Sequence, residues 1–147
     1  MRRREFGVQQ PLSIAVAQPR CTAYDVTANA VAHAEAVRAA DARVVVFPEM
    51  SLTGYELDAV PVLPDDERLA PIVAACAETG ALALIGAPVS GPRIGILAVG
   101  GDGARVAYGK VHLHGSEATP LCAGGTHRDR SGRVAAGARR LPRHGYP

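Results

Sequence analysis

Glu49 stands two residues beyond an apolar run, Arg43–Phe47, and Pro48 fixes the direction in which the chain leaves that run. Ligand sites of open α/β sheets lie just past the carboxyl ends of strands, so a half-buried carboxylate there suits proton transfer. The same glutamate could instead cap or brace a loop, and position alone leaves both readings open. Lys110 ends a second segment, Tyr108–Glu117, in which another carboxylate, Glu117, follows seven residues later. An ammonium held beside a carboxylate can stabilise charge developing on a substrate heteroatom, whereas a plain surface ion pair contributes little. Lys110 is the one lysine of the chain, against fifteen arginines, which points to a place that needs a compact ammonium. His112 and His114 fall on one face of an extended segment, as two metal ligands would. Nothing elsewhere supplies a partner cluster of Asp and His, so the expectation is two satisfied structural histidines and no metal.

The elements that must position these groups are legible in the pattern. Leu12–Gln18 reads as a buried strand, small or branched throughout. Asp25 is the N-cap of a helix running to about Ala40, with Ala30, Val31, Ala34 and Val37 on its packed face. Arg43–Phe47 reads as a central strand covered on both faces, which completes a βαβ unit. A loop rich in turn formers runs to Pro64. Leu69, Ile72, Val73 and Cys76 then form a core stripe, on a helix that begins nearer Ala70 because Pro71 tolerates only a first turn. Gly80 closes that helix, Ala81–Ala87 is a third strand, and residues 94–99 and 104–109 pair as a hairpin around Gly100–Gly103.

In this order the blocks V-V-V-F-P-E-x-x-L-T-G-Y (residues 44–55) and Y-x-K-x-H-L-x-G-x-E (residues 108–117) resemble the nitrilase superfamily of carbon–nitrogen hydrolases. The resemblance covers about residues 11–121, the N-terminal half of that family's domain. It implies an α/β fold, the N-terminal half of a four-layer α-β-β-α sandwich. It implies Glu49 as general base, Lys110 as the catalytic lysine, Glu117 as the second glutamate that positions lysine and substrate, and Tyr55 as a residue of the substrate pocket. The implied chemistry is attack of a cysteine thiolate on a small amide or nitrile, with no metal and no organic cofactor. A homo-oligomer is implied for the full-length family member. The family's cysteine follows a long apolar strand in a tight turn some tens of residues past the lysine. None of Cys21, Cys76 and Cys122 stands in such a setting. Cys76 sits on the core stripe as a small buried hydrophobe.

Composition narrows the class. Apolar residues make up 48% and charged residues 20%, as in a soluble globular domain, and no apolar run approaches a membrane span. The Met1–Phe6 start has the arginines of an export signal, but the apolar stretch after it is too short for a signal core. Three scattered cysteines without a C-x-x-C pair fit a reduced, cytoplasmic setting. Residues 1–10 read as a flexible leader. Residues 1–121 carry ten basic and thirteen acidic side chains, whereas residues 122–147 carry six arginines and one aspartate. Aliphatic content collapses at the same point, so the expectation is a disordered, non-homologous Arg/Gly-rich tail in a truncated or frameshifted, inactive form. Two other readings follow from the same residues. The tail's cations could bind nucleic acid, although its one stacking aromatic is Tyr146 and the body is acidic. A metal-dependent phosphoesterase would need a later Asp-x-His or Gly-Asn-His block, which the chain lacks.

Overall fold

The structure, a computed structural model, describes residues 11–91, 93–115 and 117. The leader, Cys122 and the arginine-rich tail lie outside those residues. Five strands form one sheet in the order of the chain: β1 (Ile14–Val16), β2 (Val44–Val46), β3 (Leu82–Val89), β4 (Arg93–Gly100) and β5 (Gly103–Gly109). The first three are parallel and the last two antiparallel, so β3 joins a βαβαβ half to a hairpin. The crossovers carry α1 (Val26–Ala39) and α2 (Ala70–Thr79). Two consecutive right-handed crossovers in sequential strand order place both helices on one face.

That face holds the core. Val45, Ala83, Ile85, Leu97 and Val99 are buried there with Ala30, Ala34 and Val37 of α1 and Ile72, Ala75 and Cys76 of α2. Fold class is therefore mixed α/β, one sheet layer and one helix layer of the expected four. Local chemistry sets the helix ends. The Asp25 side chain accepts the Ala28 N–H at 2.9 Å, Pro71 occupies the first turn of α2, and Gly80 closes α2 with a left-handed φ of 70°.

Four expectations are corrected. β2 is central in the sheet but covered on one face only: Val45 is buried on the helix side, whereas Val44 and Val46 are half-buried on the side that has no cover among the described residues. The first strand is not buried: Leu12, Ile14 and Val16 are 54%, 59% and 78% exposed. β1 is an edge strand, and the sheet face carrying Ile14 and Val16 has no cover among the described residues. Val31 is exposed as well, because the packed stripe of α1 runs Val26, Ala30, His33, Ala34, Val37 and leaves Val31 a quarter-turn away. His112 and His114 are exposed rather than satisfied in the core, since the chain turns into solvent after β5. Leu69, Ile72 and Cys76 are buried as expected, Leu69 in the 3-10 turn Glu67–Leu69 that leads into α2.

Candidate functional site

β3 outlasts β2, and its free carbonyls hold the chain that leaves β2. Phe47, Leu52 and Val62 donate their N–H groups to Leu84, Gly86 and Pro88 at 2.9, 3.1 and 2.8 Å. Between these anchors residues 48–55 wind around one atom, the Met50 carbonyl oxygen, which accepts the N–H groups of Thr53, Gly54 and Tyr55. Met50 and Tyr55 adopt left-handed φ values of 57° and 66°, a strained choice for side chains of their size. The loop lies directly on Gly86, where a Cβ would collide with backbone atoms of Pro48, Glu49 and Met50. Glu49 thus reaches the mouth of the sheet on a tightly wound, fully anchored segment.

Lys110 arrives from the other side. Its N–H donates to the Ile94 carbonyl at 2.7 Å, just past the end of β5. A register shift in β4–β5 decides which way it faces. Leu97 pairs with Val106 but Ile96 pairs with Tyr108, so Ala107 is an extra residue, a β-bulge. Strand alternation restarts after the bulge, and Tyr108 and Lys110 turn to the sheet face opposite the helices.

The two elements meet. Lys110 Nζ donates to Glu49 Oε1 at 3.1 Å and to Glu117 Oε1 at 2.9 Å. The Tyr55 hydroxyl lies 3.1 and 2.9 Å from the same two oxygens. Glu117 Oε2 accepts the His114 N–H at 2.9 Å. The carboxylates differ sharply in setting. The Glu117 side chain is 3% exposed and that of Glu49 39%. The Lys110 ammonium, the His114 N–H and the Tyr55 hydroxyl hold the Glu117 carboxyl down to a pKa of about 2. Glu117 and then Glu49 in turn push the Lys110 ammonium above its ordinary value. Hydrogen bonding to Glu117, burial and then Glu49 push the Tyr55 phenol up to about 12.

Beside the cluster opens a cavity of about 100 Å³ lined by Phe47, Glu49, Gly86, Ile94, Gly95, Ile96, Tyr108 and Lys110. Its wall is mostly apolar, and Glu49, Lys110 and Tyr108 are its polar side chains. All four site residues singled out in the sequence, Glu49, Tyr55, Lys110 and Glu117, are brought together. Tyr55 aims its hydroxyl at the carboxylates and does not line the cavity. Cys76 is buried, its thiol donating to the Val99 carbonyl, and Cys21 is exposed beyond β1 with its thiol on Pro19. Among the described residues neither cysteine joins the cluster, no group of three or more His, Cys, Asp or Glu could hold a metal ion, and no helix is long and apolar enough to cross a membrane. Sequence reading missed His33 and Asn29, two polar side chains buried on the packed face of α1. Their one signal was polarity at helical spacing within an apolar stripe.

Comparison with known proteins places these features in context. Residues 13–120 match the Carbon-nitrogen hydrolase family. A CN-hydrolase superfamily protein of Xanthomonas campestris, solved with an arsenic adduct in its active site, superposes with a TM-score of 0.66 at 20% identity, covering 80% of this chain and 48% of that one. A mutant amidase of Nesterenkonia sp. AN1 in complex with butyramide gives 0.62 at 21% identity, with 78% and 49% covered. Nit3 of Saccharomyces cerevisiae, from branch 10 of the nitrilase superfamily, gives 0.59 at 19%, again with 78% and 49% covered. The chain spans about half the length of these solved structures. A search of curated proteins finds no match.

Proposed function

Because this chain belongs to the carbon–nitrogen hydrolase family, we propose that Glu49, Lys110 and Glu117 are the base, cation and supporting carboxylate of a Glu-Lys-Cys machine for a small amide or nitrile. The observation that carries this is the convergence of both carboxylates on the one ammonium at the edge of an apolar cavity. Division of labour follows from the settings. Glu117, held to a pKa of about 2 by three donors, cannot take up a proton near neutrality. Its role is to keep Lys110 charged and in place. Glu49 is the more open carboxylate and lines the cavity, so the proton traffic falls to it.

The steps are those of covalent acyl transfer. A thiol gives its proton to Glu49 and its sulfur attacks the amide carbon, breaking the carbon–oxygen π bond. The Lys110 ammonium stabilises the resulting oxyanion. Glu49 returns the proton to the leaving nitrogen, and ammonia departs from a thioester. Water, its proton taken by Glu49, then releases the acid and restores the thiol. For a nitrile the first adduct is a thioimidate, and the same two groups serve it. The thiol is the part that the described residues do not supply: Cys76 is bonded inside the core and Cys21 stands outside the cluster. The reading is therefore a site that binds a small amide but does not turn it over by its described cysteines. Tyr55, half exposed beside the carboxylates, lines the approach to that site.

Butyramide, the ligand held by the Nesterenkonia amidase, is the probe. Selective ¹³C labelling of lysine gives one side-chain signal, since Lys110 is the one lysine. Butyramide shifts that signal in the native chain, Glu49→Gln weakens the response, and no ammonia is released. A lysine signal indifferent to butyramide and butyronitrile sinks the binding reading. Ammonia release that Cys122→Ala abolishes sinks the missing nucleophile.

A further inference from the structure

Among the described residues the machinery above leaves two buried titratable side chains unused, Cys76 deep in the core and His33 beside the Glu49 segment. His33 lies on the packed face of α1, fully buried, and it touches Glu49's neighbours on both sides. Its ring stacks on Phe47, two residues before Glu49, with centroids 4.4 Å apart. Its Nε2 lies 2.9 Å from the Ser51 hydroxyl, two residues after. Its Nδ1 lies 2.6 Å from the Asn29 carbonyl, which can only accept. The proton therefore belongs on Nδ1, and Nε2 accepts from Ser51. Burial, the larger influence, lowers the imidazole's proton affinity against the opposing pull of the Asn29 carbonyl, in keeping with a neutral ring. One turn earlier on the same face, Asn29 Nδ2 donates to the Leu52 carbonyl at 2.9 Å and to the Thr22 carbonyl at 2.8 Å, while Asn29 Oδ1 accepts the Thr22 N–H at 2.7 Å.

We propose that His33, seconded by Asn29, is a positioning residue that clamps the Phe47–Ser51 segment to α1 and so fixes Glu49 against the Lys110 ammonium. The need for such a clamp is visible in the segment itself. Met50 is held left-handed, which a free loop of this composition would relax. β3 grips the segment by backbone bonds at Phe47 and Leu52. The imidazole grips the same stretch from the opposite side, through a side chain at each end. Two fixed ends four residues apart leave Glu49 little freedom of direction. Buried hydrogen bonds of this kind hold their geometry because leaving either partner unsatisfied is costly.

The inference rests on the reading of Glu49 as base only for its catalytic consequence. Its geometric content is tested through the one lysine, whether or not an amide is bound. In ¹³C-lysine-labelled full chain, Ser51→Ala and His33→Leu lower the midpoint of the Lys110 titration, weakening its proton affinity about three-fold, roughly half a pKa unit. His33→Gln, whose amide can donate to Asn29 and accept from Ser51, restores the native midpoint. Val37→Ala, which empties core volume on the same helix without touching the segment, lowers the melting temperature and leaves the midpoint alone. The proposal is overturned if Ser51→Ala and His33→Leu behave like Val37→Ala, melting earlier with an unmoved lysine. Should His33→Leu fail to fold, Ser51→Ala decides alone. Amide binding that survives Glu49→Gln would refute the functional reading of Glu49 without touching this result.

Discussion

Lys110 Nζ bonds two carboxylates, and the two are not equivalent partners. Glu117 is buried and fully bonded, and its pKa of about 2 against an ordinary 4.5 makes it part of the fold as much as of the site. The sign of its effect on stability is fixed by that depression. Above about pH 4.5 the carboxyl is ionised folded or unfolded, and the native bonds favour folding. As pH falls from 4.5 towards 2 the unfolded chain takes up a proton that the folded chain refuses, and the advantage is lost. Thermal unfolding followed by circular dichroism should show the native melting temperature dropping across that window. Glu117→Gln should melt lower than the native chain at neutral pH and show a shallower drop in acid. Equal acid slopes for the two proteins would mean that Glu117 is not held as its contacts require. Tyr55 and Lys110 move the other way, their protonated forms being favoured by the same carboxylates.

At the scale of the element, the 48–55 loop depends on a missing side chain opposite it. Gly86 brings no Cβ, so Pro48, Glu49 and Met50 can lie against β3, with the Glu49 Cα 2.7 Å from where a Cβ would stand. The obstructing atoms are backbone and cannot swing aside as a side-chain tip would. Gly86→Ala should therefore cost about 1–3 kcal/mol, the usual range for overpacking, and push the loop off the strand. Denaturant unfolding measures the first effect. Loss of the Glu49 influence on the Lys110 titration measures the second. An alanine variant as stable as the native chain, with an unmoved lysine, would show that the loop has room to spare.

For the molecule as a whole, the placement of both helices on one face has a cost on the other. Ile14, Val16, Val44, Val46, Leu82 and Leu84 share the opposite face by the register of β1, β2 and β3, and Ile14 and Val16 are more than half exposed. In the four-layer arrangement that the family resemblance implies, a second sheet would lie here. Among the described residues nothing does. An apolar surface of this kind favours association. Sedimentation velocity should show the chain associating as its concentration rises, and the double variant Ile14→Thr, Val16→Lys should shift it towards monomer. Its melting temperature should hardly change, because neither side chain packs in the helix-covered core. A native chain that stays monomeric at every concentration would show that the face is tolerated in water.

The sequence by itself determined what is local. Asp25 before α1 acts through its own side chain, and Pro71 in the first turn of α2 and Gly80 after it act through their own backbones, so the helix ends could be read directly. The spacing of Leu69, Ile72 and Cys76 and the strand–helix alternation likewise gave the class, and the two motif blocks gave the four residues of the cluster. Which faces those elements present was settled only by tertiary structure. β1 has the composition of a buried strand, yet burial depends on what packs against it. His33 reads as an interruption of an apolar stripe until the Phe47–Ser51 segment is folded onto it. The bulge at Ala107 is the sharpest case. Alternation along β5 carries Ala104 and Val106 to the helix side, and the same parity would send Lys110 there too. One extra residue, forced by pairing with β4, reverses the parity and delivers the ammonium to Glu49. A strand's alternation is written in its own residues, but the register that breaks it belongs to the partner strand.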